Sequence, residues 1–177
     1  MKITIGDYCI RSFELTDKES LIKYASNFNV AKNLRDRFPF PYKESDAEQW
    51  LIFASNQNPE YNFAIANSQE LIGGIGLSPQ DDVNKYSVEI GYWLAEPFWG
   101  KGIVSAALIE MTQHTFKRFK FNRIFAAVFE GNKASERVLQ KAGYKKEATL
   151  RKSVYKKNKF LDQYIYSILR EECLIII

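Results

Sequence analysis

The sequence predicts a mixed α/β protein, a single sheet with helices over both of its faces. Strand and helix periodicities follow one another in the order strand, two helices, three strands, helix, strand, helix, two strands, which makes seven strands. The 177 residues hold no linker, repeat or low-complexity tract, so one domain spanning residues 1–177 is expected. Hydrophobic residues at 46% and charged residues at 26% are ordinary for a chain that folds around a core.

Each element has its own local cause. Lys2–Ile5 and Tyr8–Phe13 flank Gly6-Asp7 and read as a short hairpin or a bent strand. Thr16-Asp-Lys-Glu19 has capping-box spacing and predicts a helix through Leu21, Ile22 and Tyr24; Ser45-Asp-Ala-Glu48 repeats the signature ahead of Trp50, Leu51, Phe53 and Ala54. Between them, Asn33 to Tyr42 carries two prolines among charged and aromatic residues, and is a loop able to close over a ligand. Tyr61–Ala66, Glu70–Leu77 and Tyr86–Leu94 are successive strands, the first two joined by Asn67-Ser-Gln as in an antiparallel meander. Helix Gly102–Phe119 presents Val104, Ala107, Leu108, Met111 and Thr115 along one face. Asn122–Phe129 is a strand and Asn132–Ala142 a helix ended by Gly143; Tyr144–Leu150 and Gln163–Leu169 close the sheet.

Composition excludes several classes. No apolar run approaches the ~18 residues of a membrane span. The start, Met1-Lys-Ile-Thr-Ile-Gly-Asp7, lacks the sections of a secretory leader, so the chain is expected in the cytoplasm. Cys9 and Cys173 stand at opposite ends without metal or redox spacing and read as reduced, packed thiols. The only histidine, His114, falls within a helix, and no zinc or serine-hydrolase spacing is present, so no metal is expected. Leu71-Ile-Gly-Gly-Ile-Gly76 has no following Lys-Ser/Thr and is a closely packed strand rather than a P-loop. The net charge is +4, with Lys145, Lys146, Lys152, Lys156, Lys157 and Lys159 making the C-terminal third basic. These lysines could attract phosphates or RNA, or form a solvated face with a loop; no RNA-binding signature accompanies them, so the solvated face is the leading reading and nucleic acid is not expected as a partner. The apolar end, Leu174-Ile-Ile-Ile177, would pack on the core or against a second copy, making a homodimer.

The richest chemistry lies in Glu89-Ile-Gly-Tyr-Trp-Leu94 and the Phe98-Trp-Gly-Lys-Gly102 that follows it. A strand enters a Gly-Lys-Gly turn that opens directly into an amphipathic helix. Such a turn leaves backbone N–H groups outward at the positive end of the helix dipole, which seats a phosphate or pyrophosphate. Glycines on either side of Lys101 permit the positive φ and the close approach that this requires.

These residues, with Asn132-Lys-Ala-Ser135 running to Leu-Gln-Lys-Ala-Gly-Tyr144, resemble the GNAT acetyltransferases, and within them the branch of the RimJ and RimL ribosomal-protein N-acetyltransferases. Ile10-Arg-Ser-Phe13 and Leu34-Arg-Asp-Arg-Phe-Pro39 are also typical of that branch. The resemblance covers nearly the whole chain and implies the GNAT fold, acetyl-CoA as cosubstrate and transfer of its acetyl group to an amine. The superfamily phosphate signature falls on Trp99 to Val104 and departs from the general pattern at both end positions. Backbone groups hold the pyrophosphate, so these side-chain departures are expected to matter little.

The resemblance also implies roles. Tyr92, Trp93 and Leu94 would bond the pantetheine arm like an added strand, with the Leu94 N–H as oxyanion donor. Gly100, Lys101, Gly102, Ile103, Val104 and Ser105 would seat the pyrophosphate, and Asn132 would reach the pantetheine or sulfur region, cap its helix, or do both. The tyrosine that many members place seven residues after that asparagine is here Leu139, which cannot donate a proton; Ser135 is the candidate donor, or else a first-turn serine satisfying backbone groups. Glu89 is the candidate general base, directly or through a water, or simply an exposed strand residue; Arg35, Asp36 and Tyr42 are candidate substrate contacts. A protein α-amine, with a pKa of about 8, deprotonates more readily than a lysine or polyamine near 10. A peptide or protein N-terminus is therefore the leading acceptor, with polyamines, amino sugars or antibiotic amines as the alternative. A CoA-binding module without catalysis is the rival class, kept open by Leu139.

Overall fold

The computed structural model describes residues 1–173; the apolar end at 174–177 lies outside the described residues. The strands are β1 (Lys2–Ile5), β2 (Tyr8–Ser12), β3 (Asn62–Ala66), β4 (Leu71–Pro79), β5 (Ser87–Leu94), β6 (Arg123–Phe129), β7 (Lys145–Lys156) and β8 (Lys159–Leu169). The helices are α1 (Lys18–Ala25), α2 (Phe28–Ala31), α3 (Glu44–Ser55), α4 (Ile103–Arg118), α5 (Lys133–Lys141) and α6 (Arg170–Cys173). The strand order is β1-β2-β3-β4-β5-β6-β8-β7, a mixed sheet of eight strands rather than seven. The extra strand comes from the N-terminal segment. Gly6 adopts φ +60° and folds Lys2–Ile5 back on Tyr8–Ser12 in antiparallel register, so the hairpin reading holds and the bent strand does not.

The chain divides into two compact units, Met1–Gly76 with Tyr92–Ala107, and Leu77–Gly91 with the residues from Leu108 onward. In the first, Phe13, Leu21, Ala25, Tyr42, Ala47, Leu51, Ala54, Ala64 and Leu71 form one core cluster. Beneath it, Arg11 holds the buried Asp17 carboxylate through both guanidinium nitrogens at 2.6 and 2.8 Å. The helix starts shift from the capping boxes that the sequence suggests. The Glu14 N–H donates to the Asp17 carboxylate at 2.9 Å, opening a short 3₁₀ turn before α1. At α3 the Lys43 N–H donates to Asp46 at 2.8 Å, two residues ahead of the Ser45–Glu48 pair.

In the second unit, Leu108, Met111 and Thr115 of α4 are buried as the helical period predicts, and Phe116 is buried beside them. Thr112 Oγ1 and the Tyr144 hydroxyl meet at 2.7 Å inside this layer. Arg170 turns its guanidinium onto the carbonyls of Phe116, Phe119 and Phe121 and so closes the C-terminal end of α4. Gly143, at φ +85°, ends α5, and the Tyr144 N–H returns to the Leu139 carbonyl at 3.0 Å. β7 and β8 run further than their hydrophobic pattern suggested. Lys157 and Asn158 both take positive φ (52° and 59°), which makes a two-residue type I′ turn and extends the ladder to Lys156–Lys159. Among the described residues, no helix is long and apolar enough to cross a membrane.

Candidate acetyl-transfer site

In the first unit, β5 ends where three backbone events meet. The Ala95 N–H donates to the Ile72 carbonyl at 2.8 Å. A Cβ at Gly73 would lie 3.2 Å from Leu94 Cα and closer still to the Trp93 carbonyl oxygen, so glycine there lets β4 approach the end of β5. Trp99 turns its indole N–H back onto the Leu94 carbonyl at 2.7 Å. That bond gives the side chain at the first position of the phosphate signature a structural role, because the indole fastens the turn to the strand end.

A 3₁₀ turn, Glu96–Phe98 with Pro97, leads into the glycines. Gly100 and Gly102 adopt φ +78° and +77°, in the left-handed region where any other residue is strained. The first recorded intrahelical bond of α4 runs from the Ala106 N–H to the Gly102 carbonyl at 3.1 Å. The N–H groups of Ile103, Val104 and Ser105 therefore lie in the first turn, which has no intrahelical acceptors. Gly100, Lys101 and Gly102 are exposed, Val104 and Ser105 half-buried and Ile103 buried. Open backbone donors, a helix N-terminus and the Lys101 cation together fit a diphosphate.

The same unit contains a polar cluster that the sequence did not reveal. Both oxygens of Glu96 accept from amides, Asn27 Nδ2 at 2.8 Å and Asn29 Nδ2 at 2.9 and 3.2 Å. Lys32 Nζ donates to Asn29 Oδ1 at 2.8 Å. Hydrogen bonds from Asn27 and then Asn29, helped by the Lys32 charge, hold the Glu96 carboxyl below its ordinary pKa. The cluster ties residues 27–32 to the turn that precedes the glycines.

The loop after α2 divides the predicted substrate contacts. Arg35 and Asp36 are exposed, but Tyr42 is 6% exposed and belongs to the core cluster, where burial pushes its hydroxyl up to about 12. Its neighbour Phe38 packs between it and Trp93, tilted to the one and edge-on to the other, at centroid distances of 5.3 and 5.8 Å. Phe28 and Phe40 form an exposed edge-on pair 5.7 Å apart.

In the second unit, β5 and β6 run parallel, with Ser87, Val88 and Glu89 in register with Arg123, Ile124 and Phe125. Glu89, half-buried, ends that register, and β5 continues beyond it to Leu94. Asn132 Oδ1 accepts from the Ser135 N–H at 3.2 Å, so the capping role of this asparagine is realised. Ser135 is half-buried, while Leu139 is fully buried and serves the core. Beside Ser135, the buried Glu136 accepts from the Tyr166 hydroxyl at 3.0 Å. Its other oxygen lies 2.9 Å from Lys133 Nζ, outside hydrogen-bonding alignment, an ion pair rather than a directed bond. Lys133, ahead of Tyr166, lowers the Glu136 pKa against the opposing effect of burial; burial first and Glu136 second raise the Tyr166 hydroxyl to about 12.

His114 is half-buried on α4, and the described residues contain no cluster of histidine, cysteine, aspartate or glutamate that could hold a metal. Cys9 and Cys173 are free thiols, and burial raises the Cys173 pKa.

Residues 8–145 match the acetyltransferase (GNAT) domain family. The N-acetyltransferase p20 of Bacillus licheniformis is 30% identical over 166 residues, covering 92% of this chain and 93% of its own. The N-acetyltransferase YnaD of Bacillus subtilis is 30% identical over 173 residues, covering 97% of this chain and 99% of its own. A GNAT-family acetyltransferase crystal structure from Bacillus anthracis superposes with a TM-score of 0.82 at 27% identity, over 97% of this chain and 99% of that one.

Proposed function

The chain belongs to the GNAT acetyltransferase family and is an acetyl-CoA-dependent N-acetyltransferase, and on that premise we propose that its acceptor is the α-amine of a protein or peptide N-terminus. The observation that carries the site is the turn at Gly100 and Gly102, both at positive φ, delivering the chain from the end of β5 straight into the first turn of α4.

Acetyl-CoA supplies a thioester carbonyl to be attacked; the chain's own groups bind, orient and move protons. Backbone N–H groups from Gly100 to Ser105, with Lys101, hold the pyrophosphate. Tyr92, Trp93 and Leu94 align the pantetheine arm in the manner of an added strand. The Leu94 N–H donates to the carbonyl oxygen as negative charge develops on it. Glu89, directly or through a water, takes the proton that the amine must lose before it attacks. Ser135, held at the start of α5 by the Asn132 cap, gives a proton to the departing sulfur, while Asn132 orients the arm. The neutral amine adds to the carbonyl and forms the C–N bond, and the nitrogen then loses its surplus proton through the same base to solvent. Collapse of the tetrahedral intermediate breaks the C–S bond, Ser135 recovers its proton from solvent, and no acyl-enzyme is needed. Arg35 and Asp36 contact the acceptor; Tyr42 supports their loop from within the core.

A peptide α-amine, with a pKa of about 8, is neutral often enough at pH 7 for this base to suffice. The test is thiol release from acetyl-CoA with free and N-blocked peptides, polyamines and amino sugars. Turnover with free but not blocked peptides is the expected result. Turnover confined to small amines would overturn the acceptor, and acetyl-CoA binding without turnover on the panel would point to an acceptor outside it or to a non-catalytic CoA module.

A further inference from the structure

The β7–β8 hairpin continues past the sheet as an arm. β8 pairs with β6 from Leu169 up to Gln163, and Glu130 and Asp162 exchange the last bonds there, at 2.9 and 3.1 Å. From Leu150 to Leu161 the recorded pairs are those of the two arms with each other: Val154 with Leu161, Tyr155 with Phe160, Lys156 with Lys159. One side of the arm turns inward, with Lys156 only 8% exposed and its Nζ 5.9 Å from the centre of the Phe129 ring. The other side carries Tyr155 and Phe160, directly opposite each other, ring centres 5.0 Å apart, 60% and 66% exposed.

Around this aromatic pair the charge has one sign. Residues 150–161 contain Arg151, Lys152, Lys156, Lys157 and Lys159 and no acid. All but Lys156 are exposed. Asp162, next along β8, accepts from the Lys152 backbone N–H at 2.9 Å. Lys152, at φ +50°, bulges the strand here, and an open recess is lined by Thr149, Leu150, Arg151 and Lys152.

We propose that this arm is a docking surface for single-stranded RNA, with bases stacked on Tyr155 and Phe160 and phosphates held by Arg151, Lys152, Lys157 and Lys159. A solvated basic face accounts for exposed lysines but not for two large aromatic rings held in water beside them. An acidic polypeptide would satisfy the charge and leave the rings without a partner, whereas a nucleobase has a flat face for each ring. The arm lies outside the groups assigned to acetyl transfer, so the surface adds a partner to the enzyme without altering its chemistry.

The test uses the full-length protein and a fluorescein-labelled 12-nucleotide RNA of mixed, unpaired sequence, read by anisotropy. Four phosphate contacts predict a slope of log K against log salt of about −2.8, hence an affinity loss of about 50-fold between 50 and 200 mM salt. Lys157→Gln with Lys159→Gln lowers the slope to about −1.4, a loss of about sevenfold over the same range. Tyr155→Ser with Phe160→Ser weakens binding about tenfold or more at fixed salt. Both variants are expected to keep wild-type acetyl transfer, which confirms that they fold. Absence of binding at 50 mM salt would overturn the proposal, and so would an unchanged slope in the lysine variant. Displacement of the RNA by an equally charged polyglutamate, with no effect of the aromatic variant, would overturn it in favour of an acidic protein partner.

Discussion

Replacing Gly73 by alanine asks whether the end of β5 must lie where it does. The new methyl would sit 3.1 Å from Leu94 Cδ1, 3.2 Å from Leu94 Cα and nearer still to the Trp93 carbonyl oxygen. Restoring ordinary contacts of about 3.5 Å requires that backbone to move by several tenths of an ångström and, at the carbonyl, by about 1 Å. Overpacking of this kind costs about 1–3 kcal/mol. At about 2–4 °C per kcal/mol for a chain of this length, Tm falls by roughly 2–12 °C. The catalytic effect is expected to be of similar size on the barrier, because a misplacement of about 1 Å at a group that orients a reacting atom costs about 100-fold. Steady-state thiol release gives kcat, and titration of acetyl-CoA by calorimetry gives Kd. The expected result is a kcat lower by about 100-fold with Kd raised less than tenfold. Gly91→Ala, on β5 itself, is the control, since a Cβ there meets nothing within 4 Å. A Gly73→Ala enzyme with wild-type kcat and Tm would refute both the close approach and the assignment of Leu94.

Other perturbations address single groups. Ser135→Ala is expected to lower kcat by about 100-fold while leaving acetyl-CoA affinity in place, and full turnover would dismiss the proton-donor role. Arg170→Met strips three carbonyls of their charged donor, at a cost of about 2–3 kcal/mol and a fall in Tm of roughly 4–12 °C by differential scanning calorimetry. Glu96, whose carboxyl is held below its ordinary pKa by Asn27 and Asn29, contributes stability above the usual carboxylate range that disappears as pH falls through its folded-state pKa. The Tm gap between wild type and Glu96→Gln should thus be open at pH 7 and close on acidification from about pH 4 downward; a gap that widened in acid would contradict the depressed pKa.

Local chemistry made most of the elements legible. The Gly-Lys-Gly turn, the α4 face and the Asn132 cap each depend on neighbours a few residues apart, and each stands where its spacing placed it. The helix starts shifted because a carboxylate three residues on can serve any preceding backbone N–H. Asp17 and Asp46 took that role from Glu19 and Glu48. Tyr42 looked like a ligand contact because it ends a proline-rich polar loop, yet the loop's return to α3 carries its ring into the core. The Glu96 cluster joins side chains 67 and 69 residues apart, a distance at which no periodicity operates. The β7–β8 turn was hidden because Lys157-Asn158 supplies positive φ without the glycine that advertises it.

Glycine does two opposite jobs in this site, and they leave the chain different freedom to vary. At Gly100 and Gly102 a side chain would find nothing within 4 Å, so torsion alone makes the choice. Asparagine enters the left-handed region at less cost than other side-chain-bearing residues but is still strained there. At Gly73 space alone makes the choice, and no larger residue fits until Trp93 and Leu94 have already moved. The turn that meets the phosphates is therefore held by torsion, while the strand end beside it is held by a backbone that has no room to give.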